Sequence, residues 1–223
     1  MLNARRLKQL KVLILWLQPE HRFARYCFYG CWCLPDNDHL NAQPLNTAGF
    51  GKPVDAIDGS CRRQSHCYQC AQKDHPDHDC DASNTNYKYE LTFDTEDPDN
   101  HWKKSIRCLD EGKGLGASKG QKGGCRRSIC ECDKKLAEDL REHFEVWKQG
   151  HHAEQGDFDW TQNCFKDPSG NGGRKLECCG NYGEGIRMPY HDNGRRKCCG
   201  TVTYDSTFNE CCENDRIAAI GMC

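Results

Sequence analysis

The side chains best suited to chemistry lie in one stretch, residues 29–68, which reads YGCWCLPDNDH and later GKPVDAIDGSCRRQSHCY. It offers a Cys-x-Cys clip (Cys31, Cys33), two aspartates (Asp55, Asp58) and a polar run, Gln64-Ser65-His66, between Cys61 and Cys67. Cysteines six apart point to different sides of an α-helix, so bonding both would make that helix a rigid platform. The polar run is a poor catalytic set. Gln64 has no nitrogen that titrates near neutral pH and cannot serve as a general base. Ser65 cannot supply the anionic, bidentate oxygen that a hard cation prefers. His66 is a base by type, but it lies two residues beyond Gln64, about 200° around the helix.

The elements that must position these residues follow from periodicity. Leu7, Leu10, Leu13, Ile14 and Leu17 predict a first helix over 7–17 with its apolar face on the core, ended by Gln18, Pro19 and Glu20. Residues 39–51, with Pro44 and Gly49, predict a loop, and 55–73 the central helix. Residues 74–83 carry His75 and His78 among aspartates. Pro76 separates the two histidines and no further ligand is fixed, so the expectation is a solvated loop, not a metal site. Residues 87–93 alternate with period two and 104–108 return as a second strand. The acidic run between them lacks the glycine and final glutamate of an EF-hand loop. Residues 111–124 predict a flexible Gly/Lys-rich insertion without phosphate-binding context. A second long helix is expected over 125–147, with an apolar stripe of Leu136, Leu140, Phe144 and Trp147.

Composition narrows the class. Nineteen of 223 residues are cysteine and 29% are charged, a disulfide-scaffold composition that points to an oxidising compartment. Zinc is the other use of dense cysteines, but the Cys-Cys doublets favour bridges. A net charge of −2 gives no argument for nucleic acid and no strong pull toward an anionic membrane. The apolar run VLILWL, residues 12–17, is short for a signal peptide and far too short for a transmembrane segment. The expected location is therefore secreted and extracellular, with no signal peptide clearly present in the chain.

The spacing Y-G-C-W-C, then Pro53, Asp55, Asp58, Cys61, Cys67 and Tyr68, resembles the secreted phospholipase A2 family, whose active helix reads P-x-D-x-x-D-x-C-C-x-x-H-D-x-C-Y. The resemblance covers roughly residues 5–165. It implies a mainly α, disulfide-rich fold: two antiparallel helices, a calcium-loop-like segment and a two-stranded β-wing. It also implies what is missing. The family's catalytic histidine falls on Gln64, its calcium-binding aspartate on Ser65, and its loop glycines on Leu34, Asp36 and Asn37, beside Trp32. Asp133, in C-x-C-D, falls where the family keeps the carboxylate that orients its histidine. Lacking that histidine is an otoconin-like feature. Calcium is expected to bind weakly if at all, and no other cofactor is implied.

The resemblance further implies the pairs Cys33–Cys61, Cys67–Cys132, Cys80–Cys125 and Cys108–Cys130, with Cys31 bonded to Cys164. One family bridge loses both halves here, at Ser60 and Asp139. Cys27 with Cys70 is then left as a pair outside the family pattern. Residues 1–165 form the phospholipase A2-like domain on this reading, 166–176 a linker, and 177–223 a cysteine-rich module of short strands. The doublets Cys178-Cys179, Cys198-Cys199 and Cys211-Cys212, with Cys223, resemble galaxin-type repeats. Seven is odd, so one cysteine pairs back to the first domain, bonds another chain as an intermolecular disulfide, or stays free.

Three functions are compatible. The first is a catalytically inactive module whose partners are extracellular matrix proteins. The second is a calcium-dependent phospholipase A2 with Asp36 or Asp38 as ligand and His66 as base. The third is a pseudoenzyme that binds a phospholipid surface without hydrolysis.

Overall fold

A computed structural model describes residues 4–34, 49, 51–76, 80–82, 85–94, 103–109, 122–165, 175–180 and 187–223. Asp36, Asp38, His78 and most of the expected insertion and linker lie outside the described residues.

Helix α1, Ala4–Leu17, buries Leu10, Leu13, Ile14 and Leu17, the residues its apolar period places on one face. Each such side chain contributes about 1.5–3 kcal/mol when fully buried. Helix α2, Ala56–Asp74, begins where the Asp55 carboxylate accepts the Asp58 N–H at 3.0 Å, an aspartate N-cap. Strand β1, Tyr89–Asp94, pairs antiparallel with β2, Lys103–Cys108, setting Leu91 opposite Ile106. Helix α3, Lys122–Glu142, runs against α2 in the opposite sense: Cys67 is bonded to Cys132, and Arg63, one turn earlier, meets Asp139, two turns later. The core between them is Ile57, Tyr68 and Ala71 against Ile129, Leu136, Ala137 and Leu140.

α3 stops five residues short of the expected end. After Glu142 a 3-10 turn, Phe144–Val146, leads the chain off the helix axis, and Phe144 is 39% exposed where Leu136 and Leu140 are buried. Trp147 turns back instead: its indole N–H donates to the Arg25 carbonyl at 3.0 Å and its ring stacks on Tyr29. This departure lets the following chain cover the 29–33 segment. The Gly30 N–H donates to the His151 carbonyl, the Ala153 N–H to the Phe28 carbonyl, and Cys164 closes onto Cys31. A short helix α4, Trp160–Asn163, precedes that bond. His75 is a second departure: it is buried, 3% exposed, at the end of α2, not solvated.

Beyond it lie three hairpins: β3 (Lys175–Cys179) with β4 (Met188–Asp192), β5 (Arg196–Cys199) with β6 (Val202–Asp205), and β7 (Asn209–Cys211) with β8 (Ile217–Ala219). Too short for a core, they are chained by a relay of bonds: Cys70–Cys178, Cys179–Cys198, Cys199–Cys211 and Cys212–Cys223. In each doublet the first cysteine reaches back and the second reaches forward.

Cys27 and Cys70 do not pair, correcting that expectation. Cys33–Cys61 fixes the loop beside the first half of α2. Cys70 lies nine residues further along, about 13 Å of helix rise, whereas a bridge needs Cα atoms within about 7 Å. Cys70 takes Cys178 instead, so the odd C-terminal cysteine pairs back within the chain and none of the seven is left for an intermolecular bond. Cys27 is a free, half-buried thiol, and burial pushes its pKa up to about 11, with Glu154 adding to the rise. Thiolate is the reactive form. A thiol reagent at pH 8 is therefore expected to find no reactive group in the native protein and one per chain in denaturant without reductant. Cys27→Ala is expected to abolish that one. A second thiol, or one that survives Cys27→Ala, contradicts this pairing.

Candidate functional site

Asp133 of α3 is wholly buried, and three side chains converge on it. The Gln64 side-chain amide donates to Oδ1 at 2.7 Å, the Tyr68 hydroxyl donates to the same oxygen, and the Tyr87 hydroxyl donates to Oδ2 at 2.8 Å. Gln64 and Tyr68, four apart, share a face of α2, while Tyr87 comes from the chain just before β1. The three donors are an amide and two phenols, and none of them is the histidine that commonly serves as a general base.

A second carboxylate anchors the neighbouring loop. Asp58, 0% exposed, accepts the Cys31 N–H at 2.9 Å and the Val54 N–H at 3.0 Å on Oδ2, and the Trp32 N–H at 2.7 Å on Oδ1. Gly30 fits above it only as glycine: its φ is +60°, and a Cβ there would lie 2.3 Å from the Asp58 carboxyl carbon. Burial pushes the Asp58 pKa up to about 6, against the pull of its three N–H bonds, and the charge of nearby Asp55 adds to the rise. Asp55 caps α2 with one oxygen; with the other it accepts from the Tyr29 hydroxyl at 2.5 Å and the His151 ring at 2.9 Å.

The remaining expected positions are dispersed. Ser65 is buried, 5% exposed. His66 does not join Asp133: its ring packs edge-on to Trp32 with centroids 5.5 Å apart. The Trp32 indole donates to the Gly51 carbonyl at 3.1 Å. Leu34 stands at φ +41°, a left-handed conformation that costs a side-chain-bearing residue about 1–2 kcal/mol. Among the described residues this set is a poor fit for calcium: Ser65 brings a hydroxyl, and the buried Asp58 carboxylate is committed to three backbone N–H groups. Among the described residues the one metal-like grouping is Cys199, Cys211 and Asp215, and its two sulfurs are bonded to each other.

At Ser60 and Asp139, where no bridge is expected because neither is a cysteine, charge holds the two helices together. Arg63 donates from Nη2 to Asp139 at 2.9 Å and to the Ser60 hydroxyl at 2.8 Å, and Lys135 pairs with the other Asp139 oxygen. Sequence reasoning missed this clamp, although Arg63 and Ser60 lie three apart on one helix, a spacing that brings side chains together. It also missed Tyr87, read only as a strand residue, and His151, in a region read without periodicity.

No protein-family model matches the chain. It is 30% identical over 132 residues to the basic phospholipase A2 beta-bungarotoxin A5 chain of Bungarus multicinctus, covering 59% of this chain and 71% of that protein. This chain belongs to the phospholipase A2 family. It is also 30% identical over 130 residues to the A-AL4 chain of the same species, covering 58% of this chain and 69% of that one. With the A1 chain of Bungarus candidus it shares 29% over 118 residues, 53% of this chain and 61% of the relative. Each aligned span is shorter than this phospholipase A2 family member, which runs to 223 residues.

The Asp58 anchor gives a pH dependence. The folded carboxyl keeps its proton up to about pH 6, whereas the unfolded one releases it near 3.8. The stability tied to that proton is thus complete below about pH 4 and lost as pH rises through 6, roughly 3 kcal/mol in all. Denaturant unfolding of wild type and Asp58→Asn at pH 4 to 7 reads it out. Wild type is expected to lose ground to the variant by about that amount. A gap that stays constant across the range rules the assignment out.

Proposed function

We propose that this phospholipase A2 family member is a secreted protein that does not hydrolyse phospholipids and serves as an extracellular interaction module, with matrix proteins as its partners. One observation carries the reading. Gln64, aligned with the family's catalytic histidine, spends its amide on the buried Asp133 carboxylate at 2.7 Å, and an amide has no titratable nitrogen to act as a base. General-base catalysis is typically worth about 10²- to 10⁴-fold. Ser65 in place of the aligned calcium aspartate, and Leu34 in place of a loop glycine, remove the cation from the same reaction. The alternative, an active enzyme using His66, is disfavoured by the packing of that ring on Trp32.

Secretion is supported by the nine disulfides among the described residues, a density at home in oxidising compartments. No helix among those residues is long and apolar enough to cross a membrane. The matrix role draws on the C-terminal hairpins, whose galaxin-like doublets form a bonded relay, and the proposed boundaries stay at 1–165 and 177–223. A phospholipid surface is the second partner class, suggested by family membership.

The deciding experiment is phospholipid hydrolysis with and without millimolar calcium, on wild type and on a variant with Gln64→His, Ser65→Asp and Leu34→Gly. Wild type is expected to show no calcium-dependent turnover and the variant to regain some. Calcium-dependent turnover by the wild type overturns the reading and directs attention to His66.

A further inference from the structure

Between α2, α3 and β4 lies a cavity of about 150 Å³. Its walls are almost wholly carbon and sulfur, from the Cys67–Cys132 bond, Leu136 and Met188. Its remaining lining includes Arg63 and Lys135, whose side chains are 45% and 48% exposed, and Asp139, which is 4% exposed. Two cations share one carboxylate there, so this side of the cavity carries a net positive charge and two groups that face water. Long basic side chains lay their methylenes along apolar surface and keep the head in solvent. Met188 comes from the C-terminal hairpin, and that hairpin is pinned to α2 at three points: Cys70–Cys178, Lys73 with Glu177 at 3.2 Å, and Arg187 with Asp74. The wall it provides is therefore fixed.

We propose that this cavity binds a small anionic amphiphile, an alkyl chain with a single acidic head. The chain enters against the disulfide, Leu136 and Met188, and the head pairs with Lys135 and the outer face of the Arg63 guanidinium. An enclosed apolar cavity of about this volume takes a guest the size of benzene, so the end of an alkyl chain fits within these walls with the rest along the open mouth, and the excess cation selects an acidic one. Gln64 also lines the cavity, with its amide held on Asp133, but the proposed contacts use neither Gln64, Asp133 nor the 29–34 loop, so the inference does not depend on whether the chain hydrolyses phospholipids. A fatty carboxylate and a lysophosphate lipid present the same chemistry.

The chain has three methionines, Met1, Met188 and Met222, so methyl signals of 13C-methionine-labelled full-length protein report this site directly. Decanoate, a ten-carbon lysophosphatidate and decanol are titrated below micelle formation. The Met188 methyl is expected to shift saturably with one or both acids, with Met222 unmoved. Decanol is expected to bind about fivefold or more weakly, and Lys135→Gln to weaken the acids by a similar factor without changing decanol. The tighter acid identifies the head group. Lys135→Gln leaves Arg63 on Asp139, and an unchanged Met222 signal with unaltered circular dichroism verifies its fold. Met188 stationary with both acids overturns the proposal. So does Met188 moving in parallel with Met222, decanol binding as well as the acids, or Lys135→Gln without effect.

Discussion

A carboxylate buried between two helices costs several kcal/mol unless its oxygens are met by donors in good geometry. Asp133 meets that condition with donors from two places, Gln64 and Tyr68 on α2 and Tyr87 ahead of β1. Its neighbour in sequence, Cys132, is covalently joined to Cys67. The bond fixes how close α2 and α3 lie, and the carboxylate fixes their rotation, because turning either helix would strand a charge. The rest follows from that pair. α1 lays its leucines on α3, β2 presents Ile106 to the same core, and the 29–34 loop is drawn down onto Asp58 at the start of α2.

The structure trades one kind of cross-link for another along the α2–α3 seam. At Ser60 and Asp139 the clamp is Arg63, half in water, and such a pair is worth no more than about 1 kcal/mol, where a disulfide typically gives about 2–4. The shortfall is met further down α2, where Cys70 captures Cys178 across 108 residues of chain. That bond does what a seam bond does not: it ties the C-terminal hairpins to the platform, and only then does the relay of doublets have an anchored first link. The cavity beside Met188 lies on the same seam, with Ser60 and Asp139 in its lining and a methionine from outside the helix pair as one wall.

Periodicity alone located the long elements. The leucine row of α1 and the alternation of β1 each follow from a local rule, and the elements lie within about five residues of their expected spans. What local rules could not supply was long-range. The 125–147 stripe reads as one helix because Phe144 and Trp147 keep the period, yet Trp147 is worth more stacked on Tyr29, with Arg25 above its ring, than at a helix end facing water. Pairing Cys27 with Cys70 as the two cysteines left over ignores the distance between them, and the odd C-terminal cysteine that can pair back to the first domain takes Cys70 instead. His75, read as solvated from its polar neighbours, is buried. Within the site, the identity of Gln64 was legible, but its partner's full set was not, because nothing local ties Tyr87 to a residue 46 positions away.

The buried carboxylate also constrains what can stand opposite it. On the proposed alignment a histidine gives way to Gln64. An apolar residue there would leave Oδ1 of Asp133 to the Tyr68 hydroxyl and remove one of the buried carboxylate's donors, and losing a hydrogen bond to a buried charged group costs about 1.5–3 kcal/mol. Glutamine keeps an N–H on that oxygen and gives up only the titratable nitrogen. Leu34 argues the same way from the opposite side. It holds a left-handed backbone at φ +41° that a glycine would adopt without strain. In both places a local frame of hydrogen bonds or backbone stands around a side chain that carries no titratable group.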